Sequence, residues 1–364
     1  MTTLVWMRRD LRLRDHAALQ AAVDRGGPVV CVFLNDSALN GLGAAPKWRF
    51  GLSIAHFADL LDHLGSRLIL RTGDGPSAIP ALAQETGASA VYWSRSYDPS
   101  VQAVDAQVKS NLTDLGITGQ SFKGHVLFEP WTVQTKTGGF YKVFTPMWKS
   151  VRSSALADAG GAISHLPAPD QWPETETLDD WNLGAAMRRG ADIVAPYTCV
   201  GPDAAQARLT DFLETRAATY PTDRDLPWKD GTSRLSENLA YGEISPLMCW
   251  HAGWSAFHQG IDGAEVFVKE VVWREFAYHL LHHTPQITTD NWKPDWDKFS
   301  WNTDETLPRV DAWLKGRTGI EFVDAAMREM YVTGTMHNRG RMIVASYLTK
   351  HLLTHWKIGL NWFA

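Results

Sequence analysis

The chain has 364 residues, of which 45% are hydrophobic and 21% are charged. This is the composition of a globular protein with enough apolar residues for two domains, and no apolar run reaches the roughly 18–20 residues that a membrane-spanning helix needs. The net charge of −5 argues against a protein that coats nucleic acid nonspecifically. Residues 331–364 nevertheless contain four basic residues and no acidic one, which suits one confined phosphate-binding face.

The cysteines and tryptophans restrict the class of protein further. Cys31, Cys199 and Cys249 are far apart and form no CxxC pair, which argues against a disulfide framework or a structural zinc site and predicts a protein of the reducing cytoplasm. The N-terminus carries arginines but no apolar signal-peptide core. The 17 tryptophans indicate stacking on an aromatic ligand or electron transfer, in addition to core packing.

Apolar runs separated by helical patterns occupy the first 130 residues. The runs predict strands at residues 4–7, 28–34, 68–70 and 90–93, with a weaker fifth at 124–128. Helical patterns lie between them, for example at residues 52–64 and 101–115. Unbroken apolar strands that alternate with helices are typical of a parallel sheet covered on both faces. Residues 1–130 are therefore predicted to form a doubly wound α/β domain.

The remainder of the chain changes character twice. Residues 131–200 are rich in proline, glycine, aspartate and threonine and are predicted to be a connector with short helices. From about residue 204 the pattern is helical, at residues 204–220, 263–282 and 319–330, with room for two helices in 334–362. We therefore expect an all-α domain over residues 201–364.

The first motif with chemical potential is the charged turn that follows the opening strand. Arg8, Arg9, Asp10, Arg12 and Arg14 come directly after the predicted strand at residues 4–7. They would lie at the carboxyl edge of the sheet, where α/β proteins usually bind ligands. The alternative is a solvated turn. The chain contains neither GxGxxG nor a P-loop, so ordinary dinucleotide or nucleoside-triphosphate binding has no support.

The second motif is Tyr220 followed by a loop with the sequence Gly231-Thr232-Ser233-Arg234-Leu235-Ser236. The loop leads into a predicted helix. Hydroxyl and free backbone N–H groups at such a position can hold a phosphate or a pyrophosphate. The alternative is ordinary capping of the helix by Thr232 or Ser233.

Two further motifs lie on predicted helices. In the sequence Glu270-Val271-Val272-Trp273-Arg274-Glu275-Phe276, Glu270 and Arg274 are one turn apart, so a local ion pair is the simple interpretation. Trp273 beside them has the chemistry to stack on a base whose edge the charged groups bind. In Thr335-Met336-His337-Asn338-Arg339-Gly340-Arg341-Met342, Asn338 and Arg341 share a helix face and Arg339 points elsewhere. A polar, solvated face is the alternative. Gly340 indicates close approach to a ligand or to a neighbouring helix.

In this order the motifs resemble the DNA photolyase and cryptochrome family across essentially the whole chain. The segment from Trp6 to Arg12 resembles the family's opening strand and loop. Residues 318–328, with Glu321 where proline is usual, resemble one long signature. Residues 338–348 and on to Lys357, with Tyr347 where phenylalanine is usual, resemble the other. Trp273-Arg274-Glu275-Phe276 and Met336-His337-Asn338 are similar to bacterial photolyases that act on cyclobutane pyrimidine dimers.

The resemblance implies a role for each matching residue. The implied FAD contacts are Tyr220, Thr232, Ser233, Arg234, Leu235, Ser236, Arg274, Asn338 and Arg341. The implied catalytic residues are Glu270, Trp273, Asn338 and Arg341. The implied DNA contacts are Arg224, Glu270, Trp273, Arg274, Ala277, Met336, Asn338 and Arg339. Trp301 and Trp356 match two members of a tryptophan chain that photoreduces the flavin, and no metal is implied.

The resemblance also implies a mechanism and partners. Light excites reduced FAD, which donates an electron to a dimer flipped out of damaged DNA, and the electron returns after the ring splits. The segment Ala45-Pro46-Lys47-Trp48-Arg49 lies where some relatives contact an antenna chromophore, and the sequence leaves open whether a folate, a deazaflavin or no chromophore binds there. The protein is expected to be a cytoplasmic monomer. Relatives continue past Ala364 into a segment at the flavin ring, so the chain is expected to be incomplete and, alone, to bind FAD poorly.

Two rival functions remain at this point. A cryptochrome-type light sensor would share the fold and the flavin without repairing DNA. A non-catalytic nucleotide-binding α/β protein with a helical partner domain would show no flavin absorbance. Glu270, Trp273, Met336 and Asn338 together favour repair over the sensor.

Overall fold

A computed structural model describes residues 1–364. The strands are β1 (Thr2–Met7), β2 (Val29–Asn35), β3 (Leu68–Thr72), β4 (Ala88–Ser94) and β5 (Thr118–Phe122). The helices are α1 (Ala17–Arg25), α2 (Ser37–Asn40), α3 (Ala44–His63), α4 (Gly75–Glu85), α5 (Pro99–Asp114), α6 (Phe144–Val151), α7 (Gly190–Val194), α8 (Pro202–Thr215), α9 (Tyr220–Asp223), α10 (Ser236–Tyr241), α11 (Pro246–His258), α12 (Gly263–His283), α13 (Pro308–Leu314), α14 (Glu321–Thr333), α15 (Asn338–Ser346) and α16 (Trp356–Phe363).

The five strands form one parallel sheet in the order β3-β2-β1-β4-β5. Side chains of β1 alternate between two cores, as the period of a strand requires. Val5 and Met7 pack into the core that contains residues of α1 and α3, whereas Leu4 and Trp6 pack into the core that contains residues of α4 and α5. The predicted doubly wound α/β class is confirmed. The strand order reverses between β1 and β4, so a crevice is expected where these two strands end.

The predicted fifth strand was wrong. The strand at the β4 edge is Thr118–Phe122, whose sequence TGQSF is polar and partly exposed because it has only one neighbour in the sheet. An edge strand needs no unbroken apolar run, so hydrophobicity did not reveal it. Residues 124–128 form a loop instead, and the backbone N–H groups of Leu127 and Phe128 donate to the carboxylate of Glu275 in α12.

The remainder of the chain is mostly helical, as predicted. The pattern at residues 204–220 is divided between α8 and α9, and the pattern at residues 334–362 contains α15 and α16, joined partly by a π-helical turn. The core of the helical part also includes Phe144 and Met147 of α6, from the stretch predicted as a connector. A smaller core joins α13–α16 around Trp313. No helix of the structure combines the length and apolarity needed to cross a bilayer.

Gly340 shows the close approach that its place in a helix predicted. A Cβ atom at this position would lie 3.1 Å from the Cβ of Ala326 in α14. The glycine therefore lets α14 and α15 pack closely, which is the neighbouring-helix alternative.

An ionic cluster around the buried Arg49 holds α3 against α10 and the turn that follows α10. Arg49 of α3 is within 2.8 Å of a carboxylate oxygen of Glu243 and also pairs with Glu237 of α10. The same guanidinium donates to the carbonyl oxygen of Cys199. Gly242 ends α10 with φ +71°, and a Cβ there would lie 2.0 Å from the carbonyl oxygen of Arg9. The charged turn after β1 is therefore held directly against α10.

Candidate functional site

A cavity of about 520 Å³ lies between α10 and α12 and is called here the α10–α12 cavity. Its lining residues come from the turn after β1, from α9, from the loop into α10, and from α10 and α12. They are Arg9, Tyr220, Ser233, Leu235, Ser236, Leu239, Ala240, Phe267, Glu270, Val271, Arg274, Ala277, Tyr278 and Leu281. Seven of the residues predicted to form the site therefore converge on one cavity.

The loop into α10 presents unused hydrogen-bond donors. None of the five backbone N–H groups from Thr232 to Ser236 donates to a backbone carbonyl. Leu235 caps α10 without a side-chain hydrogen bond, so capping by Thr232 or Ser233 is not what the structure shows. Arg234 has φ +52°, and successive amides around a left-handed residue form an anion-binding concavity.

Two residues of this loop, Thr232 and Arg234, do not line the cavity. The guanidinium of Arg234 pairs with Asp230, 3.0 Å away in solvent, and Thr232 is not a lining residue. Neither side chain therefore lines the cavity in this geometry. The contribution of the loop comes from its backbone and from Ser233 and Ser236.

Cationic and aromatic groups line one part of the cavity. Arg274 donates to the carbonyl oxygen of His125 and lies 4.9 Å from the ring centre of Tyr278. His125 is half-buried beside Arg274, Arg9 and Arg12, and loss of hydration together with this positive charge holds its pKa well below the usual value. Because the side chain of Arg274 is directed inward, this placement favours contact with a cofactor over contact with DNA. Arg9 has no carboxylate partner in the chain and is free to bind an anion.

A row of four alternating charges begins at Glu270 on the cavity wall. Glu270 pairs with Arg224, and Arg224 lies 3.8 Å from Asp225. Asp225 in turn lies 2.6 Å from a guanidinium nitrogen of Arg339 in α15. We call Glu270, Arg224, Asp225 and Arg339 the ion-pair row. The predicted ion pair between Glu270 and Arg274 is not formed, because each side chain has a different partner.

The start of α15 lies beside this row. His337 caps the helix by accepting the N–H of Arg339, and Asn338 is the first helical residue. Asn338 is exposed, and its amide nitrogen lies 3.8 Å from the sulfur of Met342. The Met-His-Asn sequence therefore builds the helix start that presents Asn338 next to Arg339.

Met336, for which the resemblance implies contact with the dimer, does not lie on the exposed surface beside Asn338 in this structure. Met336 is 8% exposed and belongs to the core of α13–α16, where it packs against Gly340. Met342, which is 54% exposed and beside Asn338, has the accessible thioether. Position in the helix decides this: Met342 is one turn beyond Asn338 on the same face, whereas Met336 precedes the helix.

Trp273 and Arg341 lie outside the cavity lining. Trp273 is 44% exposed and stacks on Phe144 of α6. Arg341 is exposed on α15, with its guanidinium 5.2 Å from the ring centre of Phe363. The structure therefore brings Glu270 and Arg274 to the cavity and leaves Asn338 and Arg341 outside its lining.

The two tryptophans predicted for electron transfer are connected by a histidine. The ring centres of Trp301 and His355 are 6.1 Å apart, and those of His355 and Trp356 are 5.5 Å apart. The indole N–H of Trp356 donates to Asn291. The sequence alone did not indicate the bridging position of His355.

A second cavity, of about 530 Å³, occupies the crevice where β1 and β4 end and is called here the sheet-edge cavity. Trp6, Phe33, Phe50, Asp36, Arg95 and Ser100 are among its lining residues, and Arg9 and His125 belong to it as well. Residues 45–49, predicted to contact an antenna, contribute none of the lining. They form part of α3, where Arg49 is committed to Glu243 and the carbonyl of Pro46 accepts the hydroxyl of Tyr241.

Sequence reasoning missed several lining residues. Arg9 was noticed only as part of a charged turn, because nothing in the sequence says that the sheet edge meets α10. Tyr278 and Leu281 lie four and seven residues after Arg274, so the helical period from the predicted site residue is a signal that finds them. Asp225 directly follows Arg224, a predicted phosphate contact, but a negatively charged side chain gave no reason to predict that it belongs to a phosphate-binding surface.

A doubly wound sheet is joined to a helical domain whose α10–α12 cavity has free backbone amides on one side and aromatic side chains on the other. This combination is that of a protein that binds a nucleotide cofactor. Residues 3–170 match the family model of DNA photolyase, and residues 267–364 match the FAD-binding domain of DNA photolyase. The chain belongs to the DNA photolyase family.

Individual relatives agree with this assignment. The chain is 43% identical, over 99% of its length and 75% of the relative's, to deoxyribodipyrimidine photo-lyase of Agrobacterium fabrum. The crystal structure of a class III photolyase from Agrobacterium tumefaciens matches the whole chain with a TM-score of 0.95 and 42% identity, over 75% of that structure. Cryptochrome-2 of Arabidopsis thaliana is 31% identical over 99% of this chain and 61% of its own length.

The residues of the α10–α12 cavity fit FAD. An FAD molecule has an anionic diphosphate between two flat aromatic ends. The free amides of residues 232–236 and the unpaired guanidinium of Arg9 suit the diphosphate, and Phe267 and Tyr278 suit the aromatic ends. Burial raises the pKa of Tyr220 to about 12, so its hydroxyl stays neutral near a negative group. The volume is within the range of cofactor sites.

Proposed function

We propose that this protein repairs cyclobutane pyrimidine dimers in DNA with light, using FAD bound in the α10–α12 cavity. The observation that carries the proposal is the position of Glu270. Its carboxylate lines the cofactor cavity and also begins the ion-pair row that leads to Asn338. The carboxylate of Glu270, a hydrogen-bond acceptor, thus lies between the proposed cofactor site and the surface that carries Arg224 and Arg339.

The residues of the cavity would bind and orient the cofactor. Backbone amides of residues 232–236, the hydroxyls of Ser233 and Ser236, and Arg9 would hold the diphosphate. Arg274 would stabilise negative charge near the ring system, because its guanidinium is fixed by His125. FAD, when bound and reduced, supplies light-driven donation of one electron to the dimer.

The rim of the cavity would bind the flipped dimer. Glu270 would accept a hydrogen bond from a thymine N–H, and Asn338 offers both an acceptor and a donor to the base edge. Trp273 would stack on the base through the face that Phe144 leaves free. Ala277, one turn beyond Trp273 and on the cavity wall, would leave space beside the base. Arg224 and Arg339 would contact phosphates that flank the lesion.

Trp301 and Trp356 would carry electrons during photoreduction of the cofactor. Their spacing through His355, with ring centres about 6 Å apart at each step, is compatible with stepwise transfer. Arg341 would add positive charge on the α15 side of the site. These roles rest on the family resemblance and on the contacts described above.

We further propose the sheet-edge cavity as the site of a second chromophore. It is at the topological switch point of the sheet, where α/β proteins bind ligands, and aromatic side chains such as Trp6 and Phe50 line it. Arg9 lines both cavities, so the two ligands would be close. A folate and a deazaflavin both have the flat ring and negative charge that this lining suits.

A repair assay tests the proposal. A duplex with one cis-syn thymine dimer is mixed with the reduced full gene product and exposed to blue light, and the intact strand is quantified by chromatography. We expect light-dependent recovery that is absent in the dark and is reduced by about tenfold or more in Glu270→Gln. Photoreduction of bound FAD without recovery of the strand would indicate a light sensor and would overturn the repair proposal.

A further inference from the structure

We propose that Asp225 determines the specificity of this protein for damaged over undamaged DNA, by neutralising Arg339 before a lesion is bound and by neutralising Arg224 afterwards. The inference rests on the proposed function, because it assumes that Arg224 and Arg339 face DNA phosphates. It assigns a role to a carboxylate that neither the family match nor the sequence motifs single out.

Asp225 is placed between the two arginines. Its Oδ1 atom accepts hydrogen bonds from Nε of Arg339 at 2.9 Å and from Nη2 at 2.6 Å. The same oxygen lies 3.8 Å from Nε of Arg224. Asp225 is 47% exposed, so water and an approaching phosphate reach the same side chains that it contacts.

The charges of the ion-pair row cancel. Glu270 and Asp225 carry two negative charges, and Arg224 and Arg339 carry two positive charges. A phosphate that approaches Arg339 must displace Asp225 or lie next to its carboxylate. Undamaged duplex is held by phosphate contacts alone, so this repulsion weakens a large share of its binding.

Lesion binding changes the partners within the row. Glu270 would turn to the flipped thymine, which leaves Arg224 without its present partner. Asp225 already lies near Arg224 and would then neutralise it, so the arginine is not left as an unpaired, partly buried charge. Asp225 therefore opposes the undamaged complex and supports the damaged one.

Asp225→Asn tests this role against a matched control. The control is Glu214→Gln, which removes one negative charge from an exposed glutamate in α8 that forms no ion pair. Dark equilibrium binding is measured for one duplex sequence with and without a single cis-syn thymine dimer, between 50 and 200 mM salt. Thermal unfolding of both variants verifies that each is folded.

We expect Asp225→Asn to bind undamaged duplex about three- to tenfold more tightly than the parent. The slope of log affinity against log salt should steepen by about one phosphate contact. The ratio of damaged to undamaged affinity should fall at least about threefold, since the gain is specific to the undamaged complex. Glu214→Gln should leave the ratio unchanged.

Two outcomes would overturn the inference. One is an unchanged ratio in Asp225→Asn, as in the control. The other is weaker binding of both duplexes in Asp225→Asn. That result would mean that Asp225 orients Arg339 for binding DNA and does not determine specificity. The parent protein and Arg339→Met separate this failure from that of the proposed function. If the parent shows no preference for the dimer, the proposed function itself is wrong. If the parent prefers the dimer but Arg339→Met binds dimer-containing duplex as well as the parent does, Arg339 contacts no phosphate and the inference alone fails.

Discussion

The indole of Trp273 is stacked on the phenyl ring of Phe144, with ring centres 3.7 Å apart and planes 8° from parallel. Phe144 belongs to α6, in a stretch that the sequence marks only as a connector. It covers one face of the indole and fixes its orientation. The other face is accessible, since Trp273 is 44% exposed. A preorganised aromatic surface beside Glu270 is what a flipped base would require.

We predict that Trp273→Ala weakens binding of dimer-containing duplex by about tenfold, because stacking of one base on an aromatic side chain contributes about 1–3 kcal/mol. Binding of undamaged duplex should change little. Trp131→Ala is the control, since Trp131 is comparably exposed but contacts Arg95 and His282 elsewhere. Equal losses in the two variants, measured by equilibrium titration, would contradict the assignment.

Replacement of Trp301 or Trp356 by phenylalanine should slow photoreduction of the bound flavin by about tenfold or more, since each removes one carrier from the Trp301–His355–Trp356 path. Repair by chemically reduced protein should be unaffected. Absorbance changes during illumination with an external reductant give the rate. Trp254→Phe, in a separate aromatic cluster with Trp148, should photoreduce normally, and a larger effect there would place the electron path elsewhere.

Arg49→Met should lower the free energy of unfolding by about 3–5 kcal/mol, because it leaves the buried carboxylate of Glu243 without its cation. Since α10 lines the cavity, FAD affinity should fall as well. The double variant Arg49→Met/Glu243→Leu should recover most of the stability, because no lone charge stays buried.

The control for this pair is Arg71→Met. Its ion pair with Glu85 is partly exposed, so its loss should cost at most about 1 kcal/mol. Denaturant unfolding monitored by circular dichroism gives the free energies of unfolding of the parent, the two single variants and the double variant. A double variant no more stable than Arg49→Met would show that the ionic cluster itself is not the source of the stability.

Glu275 should make stability depend on pH. Burial raises the pKa of its carboxyl to about 7, although Arg274 and the N–H groups of Leu127 and Phe128 oppose the shift. The folded protein then keeps a proton that the unfolded chain releases near pH 4.5. The contribution of Glu275 to the free energy of unfolding therefore decreases as the pH rises from about 4.5 to about 7. The total decrease is up to about 3 kcal/mol.

Glu275→Gln cannot titrate at this position and should remove this slope, whereas Glu214→Gln at the surface should retain it. Denaturant unfolding at pH 5 and pH 7 measures the difference. The same slope in Glu275→Gln and the parent would mean that another group is responsible.

The sequence predicted the fold class because β1, β2, β3 and β4 are buried on both faces and are therefore continuously apolar. It failed at β5, where an edge position permits a polar strand. It located Tyr220, Ser233, Ser236, Glu270 and Arg274 because each lies in a local motif, and the structure confirms that these residues share one cavity.

Local motifs could not reveal contacts between segments that are far apart in the sequence. Arg9 reaches the cavity only because Gly242 allows α10 to meet the turn after β1. Phe144 supports Trp273 from a segment about 130 residues away in sequence. Asp225 belongs to the site because it pairs with Arg339, and the packing of α15 places Arg339 next to it. Each of these depends on the packing of whole elements, which no short pattern contains.

The central claim is that the rim around Glu270, Trp273 and Asn338 recognises a cyclobutane dimer. The most direct measurement compares light-dependent repair of two duplexes of the same sequence, one with a cis-syn thymine dimer and one with a (6-4) photoproduct, by the reduced full gene product. We predict recovery of the dimer-containing strand and no recovery of the strand with the (6-4) lesion. Repair of the (6-4) lesion, or of neither, would contradict this account.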